Sequence, residues 1–181
     1  MRRLIDAARL HAFMRAFGAA ARHEVRVYLT GGATAVLSGW RAATIDIDLK
    51  VVPESDDLLR QLPGLKESLQ INVELAAPDQ FIPPLDGWEE RSPSIAREGR
   101  AAFHHYDLYA QALAKLERGH AQDLEDVNAM LARGLIQPAK LLDHFARIEP
   151  RLYRYPAIDP PAFRKAVEAA AKGAEGPPRQ G

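Results

Sequence analysis

The run from Thr30 to Lys50, TGGATAVLSGWRAATIDIDLK, constrains the fold more than any other stretch of this chain. Ile45, Ile47 and Leu49 alternate with Asp46, Asp48 and Lys50, which is the period of a strand with one apolar and one polar face. Upstream, Val25, Val27 and Leu29 read as a strand that enters Gly31-Gly32 directly, and the small apolar residues from Ala33 to Leu37 suit a short helix packed tightly on a sheet. Thirteen residues separate Gly32 from Asp46. Two glycines at a strand-to-helix turn let backbone N–H groups approach a phosphate closely. Two carboxylates at i and i+2 on a strand project from the same face, as a hard divalent cation such as Mg²⁺ requires. Taken singly, the glycines are a tight turn and the acids a solvated strand face. Like charges on one face repel unless solvent or a cation neutralises them. With apolar residues on the strand's other face, glycines and acids together point to nucleotide chemistry.

The rest of the chain supplies a scaffold for that run. Leu4, Ala7, Ala8, Leu10, Phe13, Met14 and Phe17 recur at helical spacing and predict a first helix ending near residues 20–23. Ser55 can cap a helix running to about Leu69, with Pro63-Gly64 as a break or kink. Ile71 to Leu75 alternates as a strand, Pro78 to Pro93 reads as a loop, and Ile95 and Ala102 to Tyr106 suggest further short strands. From Leu108 onward the pattern is helical, with four segments at 108–117, 121–131, 140–148 and 161–171. The expected class is α+β, a small mixed sheet flanked by helices and followed by a helical C-terminal region. The expected division is an α/β core over 1–107, a helical region over 108–171 and a disordered tail over 172–181.

Formal net charge is zero, from 24 basic and 24 acidic residues, so no general electrostatic affinity for nucleic acid is expected, although a local basic patch is compatible with it. The absence of cysteine excludes disulfides and thiolate zinc sites. No apolar stretch approaches the roughly 20 residues needed to cross a bilayer. Asp6, Arg9, His11 and Arg15 interrupt the first apolar segment, which therefore reads as an amphipathic helix rather than a signal peptide. The expected location is cytoplasmic, without membrane association.

Further residues can join the site. Glu74, with Asn72 on the same strand face, can complete a metal site or act as a base; the alternative is an ordinary exposed strand residue. Lys115 and Arg118 share a helix face, as do Asp123 and Asp126, so they can hold nucleotide phosphates or form salt-bridged surface helices. Arg41 and Thr44 can contact phosphate or simply solvate a loop. His104 and His105 point to opposite faces of a strand and so do not share one ion. There is no P-loop, nucleophile elbow or HExxH motif.

Gly31-Gly32 followed by Asp46-Ile47-Asp48 resembles the signature of the nucleotidyltransferase superfamily related to DNA polymerase beta. Lys115, Asp123 and Asp126 resemble the lysine and acidic helix motif of the AbiEii-type nucleotidyltransferase toxins. The segments GWRAATIDIDLK, NVELA, FIPPLDGW and HYDLYAQALAKLERGHAQDLEDV are similar to small bacterial nucleotidyltransferase-like proteins of uncharacterised function, and the resemblance spans roughly residues 25–165. It implies a minimal nucleotidyltransferase core with an added helical region. It implies transfer of a nucleoside monophosphate from an NTP, with loss of pyrophosphate, to a hydroxyl of RNA, protein or a small molecule. It also implies a place in a toxin–antitoxin pair, with an antitoxin protein as partner. Gly31 and Gly32 would lie against the triphosphate, and Asp46 and Asp48 would hold Mg²⁺ or Mn²⁺, with Glu74 as third acid. Lys115 would contact phosphate, supported by Arg118, Asp123 and Asp126. The alternative is a nucleotide-binding or interaction module that retains the fold without turnover. One departure stands out: the toxins usually carry Gly-Ser where this chain has Gly-Gly-Ala, so the serine contact is missing or Thr34 replaces it. Neutral net charge fits a protein or small-molecule acceptor better than bulk RNA.

Overall fold

The computed structural model describes residues 2–176. The chain divides into two compact units, Met1–Ala77 with Ser92–Tyr106 and Pro78–Arg91 with Asp107–Gly181. The class is α+β.

The first unit is a five-stranded mixed sheet with helices on one face. Its helices are α1 (Ala7–Ala20), α2 (Gly32–Leu37), α3 (Asp56–Leu59) and α4 (Leu62–Leu69). Its strands are β1 (Val25–Thr30), β2 (Asp46–Val52), β3 (Asn72–Leu75), β4 (Ser94–Glu98) and β5 (Ala101–His105). The strand order is β3-β2-β1-β5-β4. β1 pairs antiparallel with β2 and parallel with β5, β2 pairs parallel with β3, and β4 and β5 form an antiparallel hairpin.

Asp6 caps α1, its carboxylate accepting from Arg9 N at 2.9 Å. Leu10, Phe13, Met14 and Phe17 then bury one stripe of that helix, with the Phe13 and Phe17 rings stacked 5.2 Å apart. The stripe packs on the apolar sheet face made by Val25, Val27, Leu29, Ile47, Leu49, Val51, Val73 and Phe103. Truncating Phe13 to alanine would cost about 3–5 kcal/mol by opening this core. The helix expected after Ser55 is two pieces rather than one kinked piece. The break falls at Arg60-Gln61, and Pro63 sits in the first turn of α4, where its missing N–H costs nothing.

The second unit is helical. It contains α5 (Trp88–Arg91), α6 (Leu108–Arg118), α7 (Ala121–Ala132), α8 (Pro138–Ile148) and α9 (Pro160–Ala174), with 3₁₀ turns at Pro78–Gln80 and Glu149–Arg154. The segment expected to be a loop before Pro93 thus contains a 3₁₀ turn and a short helix. Arg91 holds it to the start of α6 by donating from Nε and Nη2 to Asp107 Oδ2, at 3.2 and 2.7 Å, and from Nη1 to the Asp86 carbonyl at 2.7 Å. Asp107 also caps α6 by accepting from Tyr109 N. Phe145 of α8 meets Phe163 of α9 edge to face, centroids 4.9 Å apart. α9 carries helix through Ala174, into the segment expected to be disordered; residues 177–181 of that tail lie outside the described residues.

Candidate active site

The pleat puts the polar residues of the run on the sheet face opposite the α1 core. β2 alternates as the sequence predicts, with Ile47, Leu49 and Val51 buried and Asp46, Asp48 and Lys50 half-buried. Register aligns Asp48 with Thr30 on one side and Glu74 on the other, and Asp46 with Asn72. Four polar side chains from two adjacent parallel strands therefore share one patch.

Asn72 organises that patch. Its Oδ1 accepts from the Arg2 guanidinium, which fixes the amide orientation. Its Nδ2 then donates to Asp46 Oδ1 at 2.6 Å and to Glu74 Oε1 at 3.0 Å. Glu74 is exposed at the end of an edge strand. Alternation placed Asn72 on the acid face, but only strand pairing reveals that it links two carboxylates.

Gly31 has φ +62° and ψ −130°, a conformation L side chains rarely adopt. It also lies against an acid: a Cβ there would come 3.1 Å from Asp48 Oδ2. Gly32 is more restricted still, because a Cβ there would sit 2.0 Å from Thr44 Oγ1 and 3.2 Å from Arg41 Nη1. The glycine pair is thus surrounded by a carboxylate, a hydroxyl and a guanidinium. Thr44 is held in place by a two-way backbone bridge with Ile5, at 2.8 and 2.9 Å.

Thr34 is placed differently from its neighbours. It is fully buried; its hydroxyl donates to the Leu29 carbonyl at 3.4 Å and lies 3.0 Å from His105 Nδ1. With the hydroxyl proton directed at Leu29, Nδ1 is the donor of the second bond. Burial lowers the His105 pKa to about 4, so the ring is neutral at physiological pH. A phosphate contact by Thr34 would require its hydroxyl to leave these partners.

Lys115, Arg118, Asp123 and Asp126 meet in the second unit as a closed ion-pair network between α6 and α7. Lys115 Nζ donates to Asp126 Oδ2 at 2.7 Å and to Asp123 Oδ1 at 3.4 Å. Arg118 binds Asp123 through both fork positions, at 2.7 and 2.6 Å. Both aspartates are 2% exposed. Burial pushes the Asp123 carboxyl up, but the Arg118 hydrogen bonds and the Lys115 and Arg118 charges outweigh it and hold the group below the usual carboxylate range. A phosphate taken up by Lys115 would compete with two carboxylates.

The donor set on the sheet suits a hard cation. Mg²⁺ is commonly held by one or two carboxylates, with waters and substrate phosphates completing its shell. Asp46 and Asp48 provide that number, and among the described residues no group of three or more His, Asp or Glu side chains is placed to hold an ion. No helix among the described residues is long and apolar enough to cross a membrane. No curated protein and no solved structure matches the chain, so the narrower likeness to the AbiEii-type toxins rests on its motifs alone. The family model that does match covers residues 8–149 and is described as a nucleotidyltransferase of unknown function (DUF6036); the chain belongs to that family.

Proposed function

We propose that this protein transfers a nucleoside monophosphate from an NTP to a hydroxyl acceptor, in a metal-dependent reaction at the Asp46–Asp48 face. The observation that supports this best is the contact between the two halves of the motif. The Asp48 carboxylate lies against the Gly31 turn, so a phosphate on the glycines would meet a group able to hold its counter-ion. Asp46 and Asp48 would hold Mg²⁺ or Mn²⁺, with Glu74 beside them as a base rather than a third ligand. When bound, such an ion supplies neutralisation of phosphate charge as the leaving oxygen becomes anionic.

The remaining work falls to the chain. Gly31 admits the phosphates close to the backbone, while Gly32 leaves room for Thr44 beside the turn. The acceptor hydroxyl oxygen forms a bond to the α-phosphorus, the bond from that phosphorus to the bridging oxygen breaks, and pyrophosphate leaves with the electron pair. Glu74 takes the hydroxyl proton, and Asn72 keeps its carboxylate beside Asp46. RNA, a protein or a small molecule is the acceptor class. A toxin paired with an antitoxin protein is the biological setting that the motifs favour. In this reading Lys115, with Arg118, Asp123 and Asp126, supports phosphate binding only if the network between α6 and α7 opens.

The test is incubation with each NTP labelled at the α-phosphate, Mg²⁺ or Mn²⁺, and RNA or lysate protein, beside Asp46→Asn. Label entering a macromolecule with the wild type alone supports the transferase and names the acceptor class. A second reading, a nucleotide-binding module without turnover, is favoured by the Asn72 amide, a neutral donor already bonded to Asp46 and Glu74. NTP binding with no transfer under any condition would select it.

A further inference from the structure

We infer that the acid face takes one divalent ion and not two, because the Asn72 amide, braced by Arg2, fills the place between Asp46 and Glu74 that a second ion would need; the inference rests on the metal reading above. Sites that use two ions for phosphoryl transfer set them roughly 4 Å apart and share carboxylates between them. Register brings three acids onto this face, with Asp48 beside Glu74 and Asp46 beside Asn72. Their number alone would allow a pair of ions, but the gap between two of them is already filled. Asn72 Nδ2 lies 2.6 Å from Asp46 Oδ1 and 3.0 Å from Glu74 Oε1, so each of its two hydrogens is spent on one carboxylate. An Mg²⁺ ion bridging the same two oxygens, at about 2.1 Å from each, would have to stand where that nitrogen stands.

The amide is also held against turning its oxygen toward an ion. Arginine has donors only, so the Arg2 guanidinium requires the Asn72 oxygen and not the nitrogen. Half a turn of the amide would bring its NH₂ against the guanidinium and its oxygen against two carboxylates, so every one of its side-chain hydrogen bonds would become a repulsion. Arg2 is carried by a bonded segment: Arg3 N donates to the Gln70 carbonyl at 3.1 Å, and Ile5 is bridged to Thr44. Its guanidinium keeps a permanent positive charge beside Asn72, which a second cation would have to approach. The Asp46–Glu74 side is thus closed from within the chain, and the Asp46–Asp48 side is left for the single ion.

The test counts bound Mn²⁺ by its electron paramagnetic resonance signal at equilibrium with wild type, Asn72→Asp and Arg2→Gln. Wild type should take up one ion per chain, with an uncoupled spectrum. Asn72→Asp exchanges the neutral donor for an oxygen ligand and should take up two, with the broadening of ions that lie close together. Arg2→Gln should bind its first ion about 3- to 10-fold more tightly, because a like charge is gone. Equal or weaker binding in Arg2→Gln, at an unchanged melting temperature, overturns the part given to Arg2. Two ions in wild type, a result that needs no variant to fold, overturns the inference while leaving the metal reading in place, and so does a single ion in Asn72→Asp with the wild-type melting temperature. Wild type that binds no Mn²⁺ overturns that reading and this inference with it.

Discussion

Asp46 and Asp123 each have a second aspartate on the same face of their element, Asp48 two residues on and Asp126 three residues on, yet their surroundings differ. Asp123 is 2% exposed, and both its oxygens are covered by Arg118 and Lys115. Asp46 is half-buried and accepts from the neutral amide of Asn72. One pair is neutralised within the fold; Asp46 of the other lies half-buried beside a neutral amide. Two like charges on one face of an element therefore say little about role. The partner that each charge finds in space separates a structural lock from the face proposed to hold a metal ion.

The comparison can be broken most severely at Asp46. Asp46→Asn removes a charge with little change of shape and should lower transfer by at least about 100-fold, with the thermal unfolding midpoint unchanged. Equal activity in the radiolabel assay would remove Asp46 from the site. Next comes Lys115→Met, which leaves Asp126 and Asp123 buried with too little compensation and should destabilise the protein by about 3–5 kcal/mol in urea unfolding. If stability holds while NTP affinity falls, the network is a phosphate site rather than a lock.

A third prediction separates the two regions by pH. The neutral His105 ring binds its proton in the folded state only near pH 4, whereas an unfolded histidine does so near 6.5. The unfolded state therefore holds more protons between those values, and stability falls as pH drops from about 6.5 to about 4, by up to about 3 kcal/mol. The Asp123 carboxyl, held below the usual carboxylate range, stabilises at and above that range and loses its contribution only as pH falls below it. Hydrogen exchange from pH 7 to 3 should show protection lost around β5 before α7; simultaneous loss, or unchanged pH dependence in His105→Phe, would contradict this. The smallest effect is expected at the exposed pair Arg147–Asp143, 3.0 Å apart on one helix face. Arg147→Ala should change stability by no more than about 0.5 kcal/mol, because solvent screens such pairs.

Much of the sheet unit was legible in advance because its strands alternate strictly: Ile47 and Leu49 against Asp46 and Asp48 admit only one pleat. The glycine turn was legible because two adjacent glycines have few other uses before a short apolar helix. Less legible was the segment before Pro93, whose prolines signal a loop while its short helix depends on Arg91 reaching Asp107. The same limit applied to the site. Thr34 follows the glycines as a phosphate contact would, but its hydroxyl lies against His105, seventy-one residues away in sequence. Arg41 and Thr44 could be read as phosphate contacts or as loop residues, since nothing in their spacing indicates that they crowd Gly32.

What the amino-acid order determined by itself was periodicity: which residues share a strand face, where the backbone must be glycine, and where helices begin. Those follow from local sterics and from one pleat or one turn of helix. What only the tertiary structure decided was partnership: Asn72 between two acids, Thr44 and Arg41 over Gly32, and Lys115 between Asp123 and Asp126. Hydrogen bonds and ion pairs act over about 3 Å and depend on which distant segments the core brings together. Whether a carboxylate meets a cation or a neutral amide is therefore settled by packing.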